Sequence, residues 1–189
     1  MAELFGDRGD FAIEAGTEPD GHTAAHVWGH LCVWCGGVAL GDLDNRDCGL
    51  YDAYTEFEWR SRHLDDLWDD ELAVLDDLTA WHFLDALLYG YRDGVELPDD
   101  RTMEELTRDS ARWYRFNFLT NWDEPFDGTK AFLLSPPGDT ARVLSRNFPA
   151  DRNRGVPVSK RGFIEAATGF ARWYEDESRR LGVPCLRPA

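Results

Sequence analysis

The hydrophobic period changes part-way along the chain, and that change constrains the fold more than any total does. From Ala25 to Cys35 the residues alternate, with Val27, Leu31 and Val33 on one side and Trp28, His30, Cys32 and Trp34 on the other. Period two is the signature of a strand, and apolar character on both sides makes it an interior one. From about residue 50 the spacing turns helical. Leu64, Leu67, Trp68, Leu72, Leu75 and Leu78 recur at steps of three and four, followed by Trp81, Leu84, Leu87 and Leu88. That pattern predicts a long amphipathic stretch, two helices with a break near Thr79, whose leucines and tryptophans turn inward and leave the intervening carboxylates in water. Strand and helix signals are clustered rather than alternating. The expected class is therefore α+β, a mainly antiparallel sheet packed against amphipathic helices.

The flanking segments fill in that outline. Phe11 to Glu14 is a strand candidate, residues 16–23 read as loop, and Gly36-Gly37 is a turn into a hairpin return at Val38 to Leu40. Gly41 to Gly49 is polar and loop-like, and Gly94 and Pro98 end the helical region. Thr102 and Glu105 have the spacing of a capping box for a helix that turns Leu106, Trp113 and Tyr114 inward. Phe116 and Phe118, Lys130 to Leu134, and Thr140 to Arg146 are strand candidates, the last two joined by Pro136-Pro137-Gly138-Asp139. Residues 152–158 read as loop. Ser159 then caps a last helix with Phe163, Ala167, Phe170 and Tyr174 in one stripe and Ile164 and Ala171 beside it. Arg179 and Arg180 suit the negative end of its dipole, and Gly182 and Pro184 stop it. The 189 residues predict one domain: strand-rich over 1–49, helical over 50–112, strands over 115–146 and a terminal helix over 159–181.

Charge is distributed unevenly. Residues 1–100 hold 24 acidic and 5 basic residues, a net −19, whereas residues 101–189 hold 12 and 15, a net +3. Such a field repels nucleic acid and anionic lipid and favours a basic protein or cations, so neither nucleic acid nor membrane is an expected partner. Arg outnumbers Lys 18 to 2, a bias that leaves open a purely compositional origin for some of the charge. The first ten residues carry no long apolar run, and no stretch reaches the roughly 18 apolar residues of a membrane span, so cytoplasmic residence is expected. Four cysteines in so long and aromatic a chain do not suggest a disulfide framework.

The densest acidic feature is Asp65, Asp66, Asp69, Asp70 and Glu71, followed by Asp76 and Asp77. On a helix Asp65 would share a face with Asp69, and Asp66 with Asp70. Two chemistries fit. Carboxylates in water, with Glu56 and Glu58 as neighbours, offer a surface to a basic protein and speed its arrival. Carboxylates converging on magnesium would instead serve a diphosphate, as in the aspartate-rich motif of isoprenyl and terpene synthases, which this string resembles. A second metal alternative is zinc at His30, Cys32, Cys35 and Cys48, although only one Cys-x2-Cys spacing is present, and strand register points Cys32 and Cys35 to opposite sides. His22, His26 and His30 have helical spacing in a strand-like context and read as ordinary edge or loop residues. No zinc-protease, nucleophile-elbow or phosphate-loop motif is present. Neither a catalytic set nor a cofactor is therefore expected.

Phe5-Gly6-Asp7, then Phe11-Ala12-Ile13-Glu14, Trp28, Trp34, Gly36-Gly37 and Leu40-Gly41, resemble in order the family called immunity protein 42; the block from Phe126 to Leu133 is similar to a later part of it. The resemblance implies a non-catalytic protein of a bacterial polymorphic toxin system that binds a cognate toxin domain and blocks it. It brings no functional residues with it. Phe5, Phe11 and Trp28 are expected to build the core, and Gly6 and Gly41 to form turns. The expected contact residues are Asp65, Asp66, Asp69, Asp70, Glu71, Asp76, Asp77, Glu56 and Glu58.

Overall fold

A computed structural model describes residues 2–23, 26–92, 95–120, 122–147 and 154–185. The first sheet is antiparallel, with β1 (Glu3–Gly6), β2 (Phe11–His22), β3 (Val27–Cys35) and β4 (Val38–Leu40) in chain order. β5 (Cys48–Gly49) also pairs with β3, which makes β3 the interior strand its two-sided apolar pattern predicts. Gly36 and Gly37 both have positive φ, +55° and +80°, as the two-residue turn between β3 and β4 requires. β2 continues through residues 16–22, where composition had suggested a loop. Its register shifts between Thr17 and His22, so an irregular strand tolerates the Gly, Pro and Asp found there.

Helix α1 (Leu50–His63) follows. A single 3-10 turn at Leu64–Asp66, the one-turn α2 (Asp70–Ala73) and α3 (Asp77–Tyr89) come next. The break therefore spans residues 64–76 rather than falling near Thr79, which lies in the first turn of α3. Leu64, Leu67 and Leu72 are buried as expected, but Leu78 is 54% exposed, because a spacing of three and four has no single axis to refer to once the helix is interrupted. The region expected to end at Gly90 holds a small hairpin, β6 (Tyr91–Arg92) with β7 (Val95–Glu96). α4 (Met103–Trp113) starts on the full Thr102–Glu105 capping box, and Trp113 turns inward while Tyr114 stays out.

The second sheet is also antiparallel, in the order β11 (Arg154–Ser159), β10 (Thr140–Asn147), β9 (Thr129–Leu134), β8 (Asn117–Phe118). β11 corrects the loop expected at 152–158, whose first two residues lie outside the described ones. Pro157, which reads as a breaker, is accommodated because among the described residues β11 pairs with β10 alone and its other side is an edge. α5 (Lys160–Leu181) then runs unbroken, with the Ser159 hydroxyl accepting from Gly162 N and Gly182 in the left-handed conformation at its end.

Two layers of aromatic packing hold these parts together. Phe11, Ile13, Leu31 and Val33 on the inner face of the first sheet are covered by α1 and α5. Phe11 lies 4.5 Å from Phe163, and Tyr54 of α1 stacks on Tyr174 of α5 at 4.7 Å. One side of the second sheet reaches this core through Phe118, which meets Phe57 edge to face. Its other side, carrying Lys130, Phe132, Arg142 and Arg146, packs against α3. There Asp85, nearly fully buried, accepts from Lys130 at 2.6 Å, and Asp77 pairs with Arg142 at 2.8 Å. Acids of the first half of the chain thus meet bases of the second where α3 packs on this sheet. Phe5 packs on Phe170 and Trp173, as expected of a core residue, but Trp28 does not join the core: it stands 37% exposed on the outer face of the first sheet. Gly6 and Gly41 do occupy positive-φ turns, and a Cβ at Gly41 would stand 2.6 Å from the Phe126 ring.

Candidate functional site

The acidic string does not lie on one helix face. Asp carboxylates compete with the backbone for hydrogen bonds and favour helix starts over helix interiors. Asp69 is the N-cap of α2 and accepts from Glu71 N, and Asp76 is the N-cap of α3 and accepts from Thr79 N at 2.7 Å. The carbonyls just before Asp69 are taken by other parts of the fold. Leu67 O accepts from Ser135 N at 2.6 Å, and Trp68 O accepts from Arg115 at 3.0 Å. The pairing of Asp65 with Asp69, and of Asp66 with Asp70, therefore does not arise.

The carboxylates go to different neighbours instead. Asp65, 88% exposed, accepts from Lys160 at the start of α5 at 2.7 Å. Asp66, 70% exposed, lies 2.9 Å from His63 Nδ1. Asp69 takes two hydrogen bonds from Arg112, 2.8 and 3.0 Å, with Arg115 at 3.5 Å, and Arg112 also reaches Glu71 at 2.9 Å. The Arg112 guanidinium holds the Asp69 carboxyl below its ordinary range, with backbone donation from Glu71 acting in the same direction. Thr79 does the same for Asp76. Asp77 belongs to the second sheet through Arg142, and Glu58 is largely covered and paired with Arg62. Asp70 is exposed at the start of α2. Of the nine expected contact residues, Asp69 and Glu71 share a partner among the described residues, Arg112.

Glu56 leads to an arrangement that the sequence analysis missed. It pairs with Arg60, one turn on, whose buried guanidinium also donates to Asn117 O and lies over the Trp59, Phe118 and Trp122 rings. Burial pushes the Arg60 pKa down to about 10. Asp52, Glu56, Arg60, Tyr114, Asn117, Thr120 and Trp122 line a cleft of about 210 Å³ at this point. Along α1 the inner stripe is Leu50, Ala53, Tyr54, Phe57 and Arg60. The outer stripe is Asp52, Glu56, Trp59 and His63, extended by Asp66 on the 3-10 turn. Trp59 is 38% exposed and stacks on His63 at 4.9 Å, and Tyr114 is 59% exposed. The helical period begun at Leu50 contains this signal, since Asp52, Glu56, Trp59 and His63 fall at steps of four, three and four opposite the apolar residues.

The two metal alternatives find no support in this geometry. Among the described residues, no three His, Cys, Asp or Glu side chains come together as a metal would need. Cys32 is buried on the outer side of the first sheet and Cys35 in the core, on opposite faces of β3 as the register predicts, and Cys48 is buried on β5. Burial pushes the Cys32 and Cys48 thiols up to about 12, and raises Cys35 as well. They are packed thiols rather than nucleophiles.

The architecture of the described residues is α+β, two antiparallel sheets and a small hairpin packed with the helices. The chain belongs to the immunity protein 42 family, whose family model matches residues 1–167, and it is therefore an immunity protein of a toxin–immunity system. Among solved structures, the crystal structure of CdiI from Burkholderia dolosa AUO158 shares the fold. Its TM-score is 0.59 at 16% identity, with 90% of this chain and 99% of that one covered. No curated protein matches the sequence. Among the described residues, no helix is long and apolar enough to cross a membrane.

Proposed function

We propose that this chain neutralises a cognate toxin domain by direct, non-catalytic binding in the cytoplasm of the cell it protects, and that the toxin surface it meets is basic. Membership of the immunity protein family over residues 1–167 carries the reading. The exposed carboxylates give it a physical route. Asp65, Asp66, Asp70 and Glu71 stand in water, with Glu56 nearby along α1, and would raise the encounter rate with a cationic partner. Asp69, Asp76, Asp77 and Glu58 contribute to the field but are committed to caps and internal pairs.

The test begins with the neighbouring gene, where the reading expects a large secreted protein with a variable C-terminal domain, and then uses the purified chain with that domain. Charge reversal of Asp65, Asp66 and Asp70 to Arg is expected to slow association about tenfold at low salt and to flatten its salt dependence, with little change in dissociation. Capture of that domain with association kinetics indifferent to the reversal would remove the acidic steering. Failure of the native chain to capture it would remove the pairing itself.

A further inference from the structure

Among the described residues, the acidic string is divided between caps, ion pairs and exposed positions, whereas the outer stripe of α1 keeps its polar and aromatic groups along one helix face. It presents Asp52, Glu56, Trp59, His63 and Asp66 along one line, with Tyr114 and the cleft of about 210 Å³ beside it. That volume lies below the roughly 300–1,000 Å³ of small-molecule sites and suits one long side chain. The charge in the cleft selects the guest. Glu56 and three aromatic rings answer the buried Arg60, so the carboxylate left over at the mouth is Asp52. Tyr114 and Trp122 line the same cleft; Trp122 already faces Arg60, so the ring left for a further cation is that of the exposed Tyr114. The stripe is also continuous with the steering charges. Asp66 belongs to both, and the turn that carries Tyr114 also carries Arg115, which reaches Asp69. Exposed Trp and Tyr next to a concavity are the residue types that dominate binding energy at protein interfaces.

We propose that the toxin docks on this outer stripe of α1, with an arginine or lysine of the toxin entering the cleft between Asp52, Tyr114 and Trp122 and with Trp59 as the principal anchor. The proposal rests on the toxin-binding reading above and adds its location and the chemistry of the partner residue. Steering and anchoring are then separate jobs: the string affects how fast the partner arrives, and the stripe how long it stays.

The experiment measures affinity and dissociation of the full chain with the toxin domain encoded beside it. Trp59→Ala is expected to weaken binding roughly 30-fold, mainly through faster dissociation, and Asp52→Lys by a similar factor. Both residues are exposed, and unchanged thermal transitions confirm that the variants fold. Trp28→Ala, on the outer face of the first sheet, serves as the control and should stay within about twofold. If the native chain binds and Trp59→Ala and Asp52→Lys bind equally well, or if Trp28→Ala carries the loss, the docking face is elsewhere and the proposal is wrong. If the native chain binds nothing, the toxin-binding reading fails first.

Discussion

Residues 64–77 and residues 160–181 are both rich in charge and carry apolar residues at helical spacing, yet they fold differently. The second stretch is one helix of 22 residues, α5. The first holds a 3-10 turn and the single helical turn α2, and reaches α3 only at its last residue. Residue type makes the difference, not charge density. The first stretch contains Asp65, Asp66, Asp69, Asp70, Asp76 and Asp77, whereas α5 contains Asp176 alone and takes its other charges from Glu, Arg and Lys. Glu, Arg and Lys lose little rotamer freedom in a helix, while Asp draws backbone donors to its own carboxylate. A dense run of aspartate is therefore better read as punctuation than as a helix face.

The comparison can be broken most forcefully from the helical side. Phe170 is fully buried and touches Phe5, Phe57 and Trp173, so Phe170→Ala should cost about 3–5 kcal/mol in denaturant unfolding. A loss under about 1 kcal/mol would mean that α5 does not hold the two sheets' core together. Next in size is the cap. Ser159→Ala removes the hydroxyl that accepts from Gly162 N and should cost about 1 kcal/mol by the same measurement, with unfolding still cooperative. The smallest effect is in the broken region and depends on pH. The folded-state pKa of Asp69 is depressed, chiefly by Arg112. Its stabilisation is therefore complete above the ordinary carboxylate value of about 3.9 and is lost as pH falls through the lower folded value. Thermal melts from pH 7 to pH 3 should show native protein more stable than Asp69→Asn at neutral pH, with the gap closing below about pH 4. A constant gap across that range would put the role of Asp69 in packing rather than charge.

Much of the fold was legible because its signals are local. The alternation of β3, the Gly36-Gly37 turn, the Thr102 and Ser159 caps and the stripe of α5 all follow from neighbours in sequence. What escaped depends on distant partners. Residues 154–159 become a strand because β10 supplies its ladder, and Leu67 and Trp68 leave helical pairing because Ser135 and Arg115 claim their carbonyls. Trp28 and Tyr114 are apolar enough to read as core, but alternation and helical spacing do not say which side another element will cover. The candidate site was half legible. Its acidic character and Glu56 were in view, whereas Asp52, Trp59 and Tyr114 emerge only when α1 is placed on the core by Tyr54, Phe57 and Arg60.

Hydrogen–deuterium exchange on the free chain and on its complex with the toxin domain tests the central claim most directly. Slowed exchange at the exposed end of α1 and across residues 59–66 and 112–116 is the predicted result. Slowed exchange confined to the outer strands of the first sheet, with α1 unchanged, would contradict it.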